Sequence, residues 1–267
     1  MFQARVVMAL ALGAWTALGH VSVAQDPKSM VNQAVQTELA ADRDDHSRWL
    51  YFETDKRPKH AVTQWVADTS RGSVHRVLVK EGRKLSPAEQ KAAMDAFVKS
   101  PGEQAKQRKS GQHDDEQAAE LLKLLPNAFL WTDAGERNGN RILHFKPDAK
   151  FDPPNREAKV FAAMEGDMAV EPSAHRIVSL KGRLVRDVRF GGGLFATLKA
   201  GGTFDVERRQ TGGGIWQITE THVHIDGHAL LFKSIAEQED DVKSKFRQLS
   251  KDVSLEQAEQ ELLKQTE

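Results

Sequence analysis

The sequence contains no cysteine, so disulfides, thiolate metal sites and a thiol nucleophile are excluded, and stability must come from packing and backbone hydrogen bonds. It has no excess of either charge: 38 Lys and Arg balance 38 Asp and Glu. That balance implies no nucleic-acid or anionic-membrane partner. Its longest N-terminal apolar run, Val6 to Leu18, is 13 residues, short of the roughly 20 that a spanning helix needs. A Gly-x-Ser-x-Gly elbow is missing, and no serine stands in a nucleophile context. The clusters Gly191-Gly192-Gly193, Gly201-Gly202 and Gly212-Gly213-Gly214 neither open a helix nor end in Lys-Ser/Thr, so they read as turns rather than phosphate loops. Neither an enzyme nor a cofactor is expected.

What is present begins with an export signal. Arg5 precedes the apolar run, which closes on Ser22-Val23-Ala24, small residues at the positions a signal peptidase reads. Cleavage is expected between Ala24 and Gln25, so that residues 1–24 are a signal peptide and residues 25–267 a single mature domain with a charge near −1. The mature protein is expected to be soluble in a bacterial periplasm, without stable membrane insertion.

Val31, Val35 and Leu39 mark a leading helix. Segments rich in β-formers at 49–52, 61–67 and 74–79, divided by Arg57-Pro58 and Arg71-Gly72, predict an antiparallel meander. Ser86-Pro87-Ala88-Glu89 is a capping box with proline at the first helical position, followed by a stripe of Met94, Phe97 and Val98. Pro101-Gly102 is expected to stop that helix. Residues 103–112 lack a core-facing pattern and read as mobile, and a second helix is expected from Asp114-Asp115, carrying Leu121, Leu122 and Leu125 up to Pro126. The helical insertion thus covers about 86–126.

From Ala128 the pattern is strand after strand. Asn138-Gly139 is a hairpin turn, Glu165-Gly166-Asp167 divides strands at 159–164 and 168–170, and Lys181-Gly182 divides strands at 177–180 and 184–190. Residues 203–210 and 215–220 pair across a glycine-rich turn, and 229–235 is expected to end the sheet. The pair Asp240-Asp241 reads as solvent-facing. Ser254 and Gln257 cap a last helix over about 254–265. The expected fold class is mainly β with α insertions, with about ten strands.

The segment Thr221-His222-Val223-His224-Ile225-Asp226-Gly227-His228 resembles the His-x-His-x-Asp-His box of the metallo-β-lactamase superfamily, but Gly227 separates Asp226 from the last histidine. Period-two spacing places His222, His224, Asp226 and His228 on one face of a strand, and no second ligand set accompanies them. No metal is expected there; a metal-dependent hydrolase using His222, His224 and His228 is the alternative reading.

Residues 78–90, together with Pro153-Pro154-Asn155-Arg156-Glu157-Ala158, Ala162-Ala163-Met164-Glu165-Gly166, the stretch 185–194 and Leu230-Leu231-Phe232-Lys233, resemble a group of uncharacterised exported bacterial proteins. These in turn resemble the outer-membrane lipoprotein carrier and sorting superfamily. The resemblance implies a strongly curved antiparallel sheet, an incomplete β-barrel with helices covering an apolar concave face that holds acyl chains. No functional residue is carried over from it. The resulting expectation is a periplasmic carrier for a hydrophobic ligand, an acyl chain or a lipoprotein, in a cavity between the sheet and the Pro87 to Leu125 helices. Trp49, Trp65, Phe97, Leu121 and Leu122 are its candidate lining residues. An adaptor of the same fold, presenting an edge or groove to a protein partner, is a further alternative.

Overall fold

The computed structural model describes residues 26–190, 196–229 and 238–266. The expected signal peptide, the Gly191-Gly192-Gly193 turn and most of the 229–235 segment lie outside them.

Fourteen strands form two antiparallel sheets among the described residues. A meander of β1 (Arg48–Arg57), β2 (His60–Thr69), β3 (Gly72–Lys80) and β4 (Arg83–Lys84) forms one wing of the larger sheet, and β5 (Phe129–Arg137), β6 (Asn140–Pro147), β7 (Met164–Glu171) and β8 (Arg176–Leu184) form the other. Between them lie β11 (Thr203–Gly212), β12 (Ile215–His224) and β14 (Gln238–Leu249), giving the order β4-β3-β2-β1-β14-β12-β11-β8-β7-β6-β5. The short strands β9 (Val188–Phe190), β10 (Ala196–Leu198) and β13 (Gly227–Ala229) make a separate three-stranded sheet.

Four α-helices and one 3₁₀ turn, Glu157–Ala163, accompany the strands. Helix α1 (Pro27–Asp44) starts behind Asp26, whose side chain accepts from the Ser29 N–H, and buries Val31, Ala34, Val35 and Glu38 along one stripe. Both capping boxes read from the sequence are formed: Ser86 with Glu89 opens α2 (Pro87–Val98), and Ser254 with Gln257 opens α4 (Leu255–Leu263). Helix α3 runs unbroken from Pro101 to Ala128.

Cross-strand partners share a face of a sheet, so the register assigns every side chain to one of two sides. On the outer side of the first wing, Leu50, Trp65, Ala67, Val74 and Leu78 pack against Met94 of α2 and Leu255, Ala258 and Leu262 of α4. On the inner side of the second wing, Phe129, Leu143, Phe145, Met168 and Leu184 pack against Val31, Ala34 and Val35 of α1 and Leu125 and Ala128 of α3. The helices therefore divide between the two faces, and of the Pro87 to Leu125 helices expected over the concave face, α2 lies on the other side.

The sheet is open, since its edge strands β4 and β5 are unjoined, yet it curls. The Gln107 side chain bonds to the backbone of Ser73 on β3, while Ala128 runs directly into β5. The helix between those points covers about 32 Å. Nine strand-to-strand steps separate β3 from β5, about 43 Å if the sheet were flat. A chord shorter than its arc requires curvature toward α3.

Several local expectations are corrected. Pro101 begins α3 rather than ending α2, with Ser100 as its cap, and residues 103–112 are helical. Their anchors are polar, so apolar periodicity does not register them: Gln104 bonds to the Phe97 and Val98 carbonyls and accepts from Arg71. Residues 157–163 form the 3₁₀ turn, not a strand. Gly166 and Gly182 are not turn residues but direct partners in the middle of β7 and β8. They lie in one row between Phe145 and Phe204, whose rings reach over them to within 6.5 Å centroid to centroid. A Cβ on Gly166 would sit 2.0 Å from the Lys181 carbonyl oxygen, and one on Gly182 2.2 Å from the Glu165 carbonyl oxygen and 2.6 Å from the Phe204 ring, so both glycines admit a close backbone approach and Gly182 also makes room for the ring.

Candidate functional site

One row on the inner face passes through Leu143, Met168, Leu180, Val206, Thr221, Asp241, Asp55 and Val62, from β6 across to β2. Its chemistry changes along the way. Leu143 and Met168 are fully buried, Leu180 and Val206 at the centre are partly open, and Asp241 and Asp55 follow. Val223, in the next row, is also partly open. Toward the first wing, Glu53, Asp55, Asp68, Glu239 and Asp241 share the inner face with only Arg57 and Lys243 as cations among these three strands' inner positions. The inner face is thus a trough, apolar at one side and acidic at the other.

The charges in the trough are short of partners. Lys243 Nζ lies 3.0 Å from Asp241 Oδ2 and 3.7 Å from Glu53 Oε1, and stands 6.0 Å from the centroid of the Tyr51 ring. Arg57 pairs with Asp55, and Gln64 donates to Glu53. Asp241 Oδ1 is buried with no hydrogen-bond partner. Burial raises the carboxyls of Asp68, Glu239 and Asp241 above the ordinary carboxylate range. Burial alone would lower the Lys243 ammonium, but Asp241 and Glu53 leave it above the ordinary lysine value. Tyr51 is pushed well above the ordinary tyrosine value, first by burial and then by Asp68, Glu53 and Asp241. Lys243 gains from the surrounding carboxylates, while those carboxylates lack enough cations of their own.

The wall opposite this patch is fixed by Glu38. It occupies the apolar stripe of α1, is wholly buried, and takes both nitrogens of the Arg176 fork at 3.0 and 2.8 Å together with the Ile177 N–H at 2.7 Å. Arg208 of β11 also pairs with it. This network pins α1 to β8 and β11. Above it, between the C-terminal end of α1 and the β11–β12 turn, opens a cleft of about 330 Å³ lined by Asp42, His46, Arg176, Trp216 and Lys251 among others.

The five lining residues expected from the sequence do not converge. Trp65 and Phe97 lie in the outer cluster with α2 and α4; Trp49 stands on the inner face of β1 against Phe246; Leu121 and Leu122 flank the inner core from α3. The contact between α3 and the second wing is filled by side chains including Leu125, Ala128, Phe129 and Phe145. The histidine segment is divided as well. β12 ends at His224, while Gly227–Ala229 belongs to the smaller sheet, so the four residues do not share one strand face. His222 Nδ1 and His224 Nε2 both face Asp240 Oδ1, at 2.6 and 3.1 Å, on the solvent side of β12 and β14. Among the described residues no three His, Asp or Glu side chains are arranged to hold a metal ion. No family model, curated protein or solved structure matches this chain.

Asp240-Asp241 needs correction too: β14 lies at the centre of the sheet and only Asp240 faces solvent, whereas the Asp241 side chain is 13% exposed. The alternation that places Asp241 and Lys243 inward, opposite Asp55 and Glu53, is visible in the sequence; the pairing of the two chain ends that gives it meaning is not.

Proposed function

We propose that the protein is a periplasmic carrier that lays the apolar chain of an amphipathic ligand over Leu180, Val206 and Val223, with a neutral or cationic head toward Glu53, Asp55 and Asp241. The observation that carries this reading is the inner row: partly open aliphatic side chains lie beside carboxylates that outnumber their cations. An acyl chain covering the aliphatic patch contributes about 0.8 kcal/mol per buried methylene. The acidic side repels a free carboxylate head and favours an amine, which supplies the cation the carboxylates lack. Export from the cytoplasm and the likeness to lipoprotein carriers, both read from the sequence, are part of this proposal. No helix among the described residues is long and apolar enough to cross a membrane.

The test compares two fluorescent probes of the same chain length, one ending in an amine and one in a carboxylate. Saturable binding of the amine probe, weaker binding of the carboxylate probe, and loss of both in Val206→Asp that still folds by circular dichroism are the expected results. Absence of saturable binding by either probe, with no lipid co-purifying, would sink the carrier reading.

A further inference from the structure

Helix α3 is held at its two ends by different chemistry. Every residue from Arg108 to Ala118 between them is exposed, three turns of helix. At the C-terminal end, Leu121, Leu122, Leu124 and Leu125 are seated in the inner core. At the other end the attachments are polar: buried Gln104 donates to the Phe97 and Val98 carbonyls and accepts from Arg71, and beyond it the helix is tied to the β2–β3 hairpin. Gln107 accepts from the Ser73 N–H at 2.7 Å and donates to the Ser73 carbonyl at 3.2 Å, Arg108 donates to the Arg71 carbonyl at 2.8 Å, and His75 Nε2 lies 3.4 Å from Gln107 Nε2.

This attachment has a fitted socket. Gly72 beneath it has φ +125°, and a Cβ there would lie 2.4 Å from Gln107 Oε1 and 3.2 Å from the Phe97 ring. Only glycine admits both that backbone and that approach. Ser110-Gly111 lies just beyond, inside the exposed span. Nothing stands within 4 Å of a Cβ built on Gly111, so packing does not demand a glycine, yet it weakens the helix where tertiary contacts cannot compensate.

We propose that α3 is a hinged strap: its exposed middle releases from the Gly72-Ser73 socket at Gln107 and bends about Ser110-Gly111, opening a way into the trough, while Gln104 and the leucine end stay in place. The motion stands on the contacts of α3 alone; its use as an entrance rests on the carrier reading. Amide hydrogen exchange on the intact mature protein tests the motion without any ligand. Amides at 108–118 should exchange faster than those at 121–128. Gln107→Ala should speed exchange at 105–118 by about tenfold, the loss expected for its hydrogen bonds, and Gly111→Ala should slow it by about fivefold from helix propensity alone. Exchange at 108–118 no faster than at 121–128, or unmoved by Gln107→Ala, would overturn the strap.

The cysteine-free background permits a second measurement, in which Ser73→Cys and Gln107→Cys are joined by a short bifunctional crosslinker. Uptake of the long-chain amine probe should be slowed in the crosslinked protein and restored when the linker is cleaved. Uptake at the wild-type rate through a closed crosslink would overturn the strap as the entrance. If neither form binds the probe while exchange follows the expected pattern, the carrier reading fails and the strap stands.

Discussion

In the first wing of the sheet, β2 is buried on both sides: Trp65 and Ala67 lie under α2 and α4, while Gln64 and Val66 lie on the inner face. In the second wing α1 and α3 lie on the inner face, and the outer face carries a polar row that runs from His144 through Asp167, Lys181, Asp205 and His222 to Asp240. The same pattern of alternation thus serves opposite ends, because what decides whether a face is apolar is which helices lie against it. α2 and α4 clamp the first wing from outside, and Arg76 secures that clamp by donating to the Leu262 and Gln265 carbonyls at the end of α4 and to Gln90 of α2. α1 and α3 lie on the side of the trough. Each face of the sheet thus has its own pair of helices.

The strongest way to break this division is to unpin α1. Glu38→Ala leaves Arg176 and Arg208 buried without their carboxylate, and should cost about 3–5 kcal/mol in a denaturant titration, whereas replacing all three charged residues by methionine should restore much of the loss. Hydrogen exchange should rise in α1 and β8 while α4 stays protected; equal loss of protection in α4 would show the two faces to be one cooperative unit.

Two histidines sharpen the contrast through the sign of their pH dependence. Burial pushes His75 in the first wing down from 6.5 to about 4. The unfolded chain then takes up this proton before the folded one does, so stability should fall by up to about 3 kcal/mol as pH drops from 6.5 to 4. His75→Gln should flatten that slope in unfolding curves recorded across the range. His222, on the outer face, is raised above its ordinary value chiefly by its hydrogen bond to Asp240, and Asp240 is lowered by the same bond. The His222 contribution is complete below 6.5 and lost as pH rises through its folded value; that of Asp240 is complete above 3.8 and lost on acidification through its own. The pair therefore stabilises most between 3.8 and 6.5, and because it is only partly buried, at the surface, His222→Ala should change stability there by only about 0.5 kcal/mol. A larger change would mean that the outer row acts as a connected network.

The parts of this architecture that were legible in the sequence are those fixed by neighbours along the chain. Ser86 with Glu89 and Ser254 with Gln257 specify helix starts within a single turn. The meander β1–β3 follows from local alternation and its turns, and Asn138-Gly139 from its preference for positive φ. What was not legible depends on distant partners. Gly166 and Gly182 look like turns until Phe145 and Phe204 are placed beside them, and Asp241 looks solvated until β14 is set against β1. Glu38 gave one local hint, a carboxylate on an apolar stripe, but only Arg176 and Arg208 explain it. The trough belongs to this second kind, since each of its strands is ordinary by itself and its gradient exists only in the assembled row.

The length mismatch between α3 and the sheet has a mechanical side. A helix that joins β3 to β5 by the shorter path spans the curled sheet as a bowstring spans a bow. On the strap proposal, slackening this string at Gly111 lets the two wings part, and drawing it tight brings them together. Trough width and strap position are then, on that proposal, a single mechanical coordinate.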